Sequence, residues 1–226
     1  LKGIMGIEAA FNDLLEGKDG KIVYEKDHSG NAVAGTVEDK AVAENGDDIY
    51  TTLNSQLQSY LETLMDSVYE KSAPEDLTAV LMNAKTGEIE AMSQRPSFNP
   101  QQGFTEDTLY RNVLVEDPYE PGSTMKTMLL AAAINEGVFD PNETYDNTAL
   151  KLYDATIYDH DFGKIGRLNM SQAYSWSSNI GMVILEEKLG NEKWLQYLKD
   201  FGFGKSTESG LPNETAGSLP EDNKVS

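Results

Sequence analysis

The chain has 226 residues, 24.9 kDa and a formal net charge of −20, from 18 basic against 38 acidic side chains. A pI near 4.3 excludes the cationic stripe that phosphate backbones require, so no nucleic-acid partner is expected. The absence of cysteine excludes disulfides, thiol catalysis and cysteine-ligated metals, and two histidines, His28 and His160, leave little for a histidine metal site or a Ser-His-Asp triad. An apolar share of 39% is ordinary for a globular fold. The longest strictly apolar run, residues 128–134, is too short to cross a bilayer. The opening Leu1-Lys2-Gly3, with no secretory signal pattern, reads as the start of a piece of a longer chain.

In chain order, residues 6–15 predict a short helix with Gly17 past its end. Residues 21–24 and 31–37 read as two strands around the turn-rich group 27–30, and the acidic stretch 39–48 as a loop or linker. Residues 49–51 read as a short strand leading into a long helix over 54–71, where Leu57, Leu61, Leu64, Met65 and Val68 recur at helical spacing and Pro74 stops the run. Residues 77–94 predict a hairpin turning at Lys85-Thr86-Gly87, with Gly87 supplying the positive φ. Residues 95–103 read as a surface loop. Residues 123–136 are the most apolar segment, closed by Gly137 and Pro141, and predict a helix in the middle of a domain. Residues 140–168 read as irregular, and helices are expected over 171–176, 180–189 and 191–200. The mixture is α+β.

Chemistry concentrates at Glu120-Pro121-Gly122-Ser123-Thr124-Met125-Lys126. Serine and lysine three apart on a helix share a face, so the amine can reach the hydroxyl and remove its proton. Burial and the positive helix end both favour the neutral amine, and the same helix start offers N–H groups to an oxyanion. With 16 serines and 15 lysines, about one Ser-x-x-Lys is expected by chance, so the motif is carried by its place before a buried helix. A second element, Ser177-Ser178-Asn179, lies between two predicted helices. Its hydroxyl and amide can point into one cleft, or Ser178 or Asn179 can cap the following helix. His160 reads as a packing or edge residue.

Together these motifs resemble the penicillin-recognising serine enzymes, whose signatures are Ser-x-x-Lys, Ser-x-Asn and Lys-(Thr/Ser)-Gly. Residues 119–126, the hairpin 84–92 ending in Arg95-Pro96-Ser97-Phe98, Asp154-Ala155-Thr156-Ile157 and residues 177–182 are similar to the class B penicillin-binding proteins. The similarity extends to residues 50–66 and Phe201-Gly202-Phe203-Gly204. It implies the α+β penicillin-binding/serine β-lactamase-like transpeptidase fold, a five-stranded antiparallel sheet with helices on both sides, incomplete in this chain. Residues 1–48 would end an elongated pedestal and residues 49–226 would form the first part of the transpeptidase domain. The third signature departs: Lys85-Thr86-Gly87 precedes Ser123, and Lys205-Ser206-Thr207 lacks the glycine, so neither is read as catalytic. The true motif would lie beyond Ser226.

The resemblance implies that Ser123 attacks the penultimate D-Ala carbonyl of a peptidoglycan stem peptide, with Lys126 as general base. Ser177 would pass the proton to the leaving amine and Asn179 would bind the donor peptide. β-Lactam antibiotics would acylate Ser123, and neither metal nor organic cofactor is implied. Implied partners are a lipid-linked glycan polymerase, division proteins and the missing C-terminal portion of the same domain. The implied location is the extracytoplasmic face of the cell membrane at the division septum, with the anchor outside this chain. A sheet without partner strands exposes edges and core, so the remaining segment is expected to accompany this chain, or the chain to self-associate. The alternatives are a serine β-lactamase, a β-lactam sensor and a non-catalytic wall-facing scaffold, the last fitting an isolated piece with half a cleft.

Overall fold

Residues 2–99, 111–152 and 155–220 are described by a computed structural model, so the expectations for Asp154 and for loop residues 100–103 lie outside them. The chain divides into two compact units, one of residues 1–117 and 208–215, the other of residues 118–207 and 216–226.

In the first unit, residues 6–15 form two short helices rather than one, α1 (Gly6–Ala10) and α2 (Asn12–Leu15). Strand β1 (Lys21–Val23) pairs with β2 (Glu38–Ala41) and not with residues 31–37. The Asp27 carboxylate explains the difference: it accepts the N–H groups of Ser29 and Asn31, curling 27–31 into a turn that takes up the intervening chain. The acidic stretch therefore begins as a strand. Residues 49–51 form no strand. Thr52 and Asn54 instead bond the Ile89 and Glu90 carbonyls.

Helix α3 (Ser55–Ser72) starts where expected because the Asn54 side chain accepts from the N–H groups of Gln56 and Leu57. Its apolar stripe is only partly covered. Met65 is buried against the β3–β4 side, whereas Leu64 and Val68 stay exposed. Strands β3 (Leu77–Met82) and β4 (Ile89–Arg95) form the expected hairpin, with Gly87 at φ +78°. Gln58 pins the helix to this hairpin: its amide donates to the Met92 carbonyl at 2.8 Å and accepts the Met92 N–H at 3.0 Å. No five-stranded sheet is formed among the described residues; the longest ladder is this two-stranded one.

The short helix α4 (Val113–Glu116) precedes the second unit, which opens with a 3-10 turn, Gly122–Thr124, continuing into α5 (Met125–Asn135). Leu129, Ala132 and Ala133 are buried, but Ile134 is exposed. The helix packs its buried residues against α7 (Asn179–Leu189) and α8 (Asn191–Asp200). Within 140–168, expected to be irregular, the described residues hold four short strands among turns. Strand β5 (Thr144–Asp146) pairs with β8 (Arg167–Asn169), and β6 (Leu150–Leu152) with β7 (Ala155–Ile157). Strands of three residues are too short for alternation to register in sequence. Strand β8 runs directly into α6 (Met170–Ser175) through a capping box of Asn169 and Gln172. Tyr145, Leu168, Met170, Ala173, Ile180, Met182, Leu185 and Leu189 join α5 in one core. No helix among the described residues is long and apolar enough to cross a membrane.

Arg95 is the first unit's buried cation, bonding Asp66 and Glu62 at 2.7 Å each and Ser93 at 2.8 Å. Burial is the largest single influence on the Glu62 pKa and works to raise it, but the hydrogen bonds from Arg95, Ser93 and Gln58, with the Arg95 charge, together outweigh it and hold the carboxyl below its ordinary 4.5. Its folded value lies below the unfolded one, so the contribution is full above the ordinary range and lost as pH falls through the folded value. We expect Arg95→Ala to cost about 2 kcal/mol in urea unfolding at neutral pH, with the deficit shrinking as the solution is acidified.

Candidate active site

Ser123 sits on the exposed 3-10 turn, and Lys126, the second residue of α5, is half-buried. The amine does not meet the Ser123 hydroxyl as the spacing predicts. It donates to the Ser177 carbonyl at 2.7 Å, the Asn179 Oδ1 at 2.7 Å and the Ser177 Oγ at 3.2 Å. An ammonium has three donors, and the connection between α6 and α7 offers three oxygens within reach of its flexible stem. Ser123 Oγ makes no hydrogen bond among the described residues. Burial lowers the Lys126 pKa from its usual value, while the Asp159 carboxylate works against that shift.

Ser177, Lys126 and Asn179 are therefore brought together, and of the two candidate caps at residues 178–179 only one is used. Ser178 is the N-cap of α7, its Oγ accepting the Gly181 N–H at 2.9 Å. Asn179 is freed to face Lys126, and its Nδ2 donates to the Tyr158 carbonyl at 3.0 Å. Ser177 has φ +55°, a conformation that costs a non-glycine residue about 1–3 kcal/mol and persists only where its surroundings impose it. The turn directs both its carbonyl and its hydroxyl at Lys126.

Sequence reasoning missed the groups that hold this turn. Ser178 is fully buried, receives the Tyr145 hydroxyl at 2.6 Å and donates to Asp159 Oδ2 at 2.7 Å. Asp159 Oδ1 accepts the Ile180 N–H at 3.0 Å. Asp159 is one acid among 38 and lies 19 residues from Ser178, so no local pattern marks it. Gly181 leaves room for the Tyr145 ring: a Cβ there would stand 2.8 Å from the Tyr145 hydroxyl and 2.6 Å from the Ala173 Cβ. His160 is the expected edge residue, packed on Trp176 with ring centroids 4.9 Å apart. Lys85-Thr86-Gly87 forms the hairpin turn in the first unit, where Asn83 Oδ1 accepts the Lys85 and Thr86 N–H groups.

Two family profiles match the chain: Penicillin binding protein transpeptidase domain over residues 77–226, and Penicillin-binding Protein dimerisation domain over residues 1–51. The chain belongs to the class B penicillin-binding proteins. Stage V sporulation protein D of Bacillus subtilis is 35% identical over 222 residues, covering 96% of this chain and 34% of that protein. The probable peptidoglycan D,D-transpeptidase PenA of Neisseria meningitidis is 31% identical over 221 residues, covering 96% of this chain and 38% of that protein. The crystal structure of penicillin binding protein 2X from Streptococcus thermophilus is 41% identical with a TM-score of 0.86, covering 98% of this chain and 34% of that one. The chain thus spans about a third of the length of these class B relatives, and its fold is the α+β transpeptidase fold in part.

Gly181→Ala is expected to force apart Tyr145 and α7, costing about 1–3 kcal/mol in thermal unfolding. Tyr145→Phe combined with it should recover part of the loss, because the hydroxyl is one of the two clashing groups.

Proposed function

We propose that the protein is a serine D,D-transpeptidase that cross-links peptidoglycan stem peptides through an acyl-enzyme and is acylated by β-lactams. The observation that carries this reading is the half-buried Lys126 amine, one turn from Ser123 and bonded to Ser177 Oγ and Asn179 Oδ1. Ser123 Oγ attacks the penultimate D-Ala carbonyl carbon while its proton passes to Lys126 in the neutral form, which burial favours. The Ser123 N–H, at an N-terminal turn whose first donors lack helical partners, faces the developing oxyanion. Ser177 hands the proton from Lys126 to the departing D-Ala amine, and the C–N bond breaks to leave an ester on Ser123. Asn179 holds the donor peptide by its amide. The amine of a second stem peptide then attacks the ester, forms the cross-link and returns the proton to Ser123.

Residues 1–48 are the end of a non-catalytic pedestal on this reading, and residues 49–226 the first part of the transpeptidase domain. The remainder of that domain supplies the Lys-(Thr/Ser)-Gly strand. The enzyme is placed on the outer face of the cell membrane at the division septum, beside a lipid-linked glycan polymerase and division proteins. The matched dimerisation and transpeptidase profiles, over residues 1–51 and 77–226, support the division into pedestal and transpeptidase segments.

Intact-mass spectrometry of the full-length protein with benzylpenicillin tests the reading. A single persistent adduct on Ser123, absent in Ser123→Ala, is expected, and Lys126→Ala should slow acylation by about 10²–10⁴-fold. The acylation rate should rise with pH as Lys126 loses its proton, with a midpoint below the ordinary lysine value of 10.5. Rapid turnover of a chromogenic cephalosporin without an adduct would instead indicate a β-lactamase, and no reaction at all a scaffold.

A further inference from the structure

We propose that Asp159 is a positioning residue of this site: its buried carboxylate locks the N-terminus of α7 in the one arrangement that turns Ser177 and Asn179 toward Lys126. The inference rests on the transpeptidase reading and deepens it.

Among the described residues Asp159 is the only acid that is buried, at 1% exposure. Withdrawing a carboxylate from water is costly unless hydrogen bonds replace the lost hydration, so its partners are informative. They are not spread over the fold. Oδ2 takes the Ser178 hydroxyl and Oδ1 takes the Ile180 N–H, while the carbonyl of the preceding residue, Tyr158, takes the Asn179 amide. Two consecutive residues thus grip three consecutive residues, the last two of the Ser-x-Asn turn and Ile180 after it. Asp159 touches none of the reacting groups, and its influence on the reaction passes through those it holds.

Helix capping alone does not require this carboxylate. Ser178 already satisfies the Gly181 N–H, as an N-cap serine does elsewhere. The carboxylate adds a second helix-start donor, Ile180, and fixes the direction of the Ser178 O–H. That hydroxyl accepts from Gly181 and from Tyr145, so both of its lone pairs are used and its proton must find an acceptor. An asparagine could still accept from Ile180 but would present an N–H₂ to a Ser178 oxygen with no free lone pair. The turn would then lose the constraint that keeps Ser177 at φ +55°.

The charge leaves a separate signature. Asp159 is the one carboxylate that opposes the effect of burial on Lys126, while Tyr145 feels both Asp159 and, less strongly, Asp161. The groups that the α6–α7 connection turns to the amine, Ser177 and Asn179, are uncharged, and Tyr174 of α6 is paired with Thr127. Removing the Asp159 charge therefore lowers the Lys126 pKa further, and the acidic limb of acylation moves to lower pH even as the rate falls.

The test is the pH dependence of β-lactam acylation in the full-length protein for wild type, Asp159→Asn and Ser178→Ala, using a fluorescent penicillin, with thermal unfolding followed in parallel. Asp159→Asn is expected to acylate about 10²-fold more slowly at its best pH, with its acidic limb displaced toward acid. Ser178→Ala keeps the carboxylate and loses its grip, so it should be slowed with the limb in place. It keeps the proposal testable if Asp159→Asn does not fold. Wild-type rates in either variant, or a slowed Asp159→Asn whose limb has not moved, would overturn the positioning role while leaving the transpeptidase reading intact. A wild-type protein that is not acylated at all would overturn that reading, and this inference with it.

Discussion

The hydroxyl of Ser178, fully buried beneath the start of α7, is the joint on which the site depends. It receives from Tyr145 on β5 and from the Gly181 N–H, and it donates to Asp159 just beyond β7. Strand pairs that are only three residues long thereby become part of the site's support, because they deliver the tyrosine and the aspartate to one buried point. With the middle residue of the motif facing the core, its neighbours can face outward. Ser177, at φ +55°, turns its oxygens to Lys126, and Asn179 does the same from the first turn of the helix. A buried hydrogen-bond network of this kind is rigid when every member is satisfied, and Ser178 is.

The two interior cations differ for a physical reason. Arg95 lies against two carboxylates and a serine hydroxyl, which keep it charged and make it a structural tie between α3 and β4. Lys126 meets neutral oxygens, and its one anionic influence, Asp159, does not contact it. A lysine in such surroundings gives up its proton more readily than in water, whereas a guanidinium would not. Burial serves cohesion in the first unit and lowers the pKa of an amine in the second.

Much of the fold was legible. Helix α3 announced itself through its apolar stripe and Pro74, and the β3–β4 hairpin through Gly87. Helices α6, α7 and α8 fell within a residue of their expected bounds. The failures share a cause. Residues 31–37 were displaced as β1's partner by a turn built on one carboxylate, and the ladders within 144–169 are too short to carry a period. Coverage also escaped: Leu64, Val68 and Ile134 fit a buried face by spacing yet stay exposed, because periodicity reports which residues share a face and not what packs against it.

At the site, the sequence by itself determined the candidate chemistry. Ser123 and Lys126 lie three apart at a helix start, and Ser177 and Asn179 two apart at a helix junction, relations that are local and survive as spacing. The tertiary structure decided how they are used. It set Lys126 on Ser177 and Asn179, 51 and 53 residues away, and it made Ser178 the cap and Asn179 a partner of Lys126. It also picked Asp159 out of 38 acids as the anchor. Spacing along a chain constrains neighbours within a turn or two, whereas the partner of a buried hydroxyl or amine is set by which segments the core brings together.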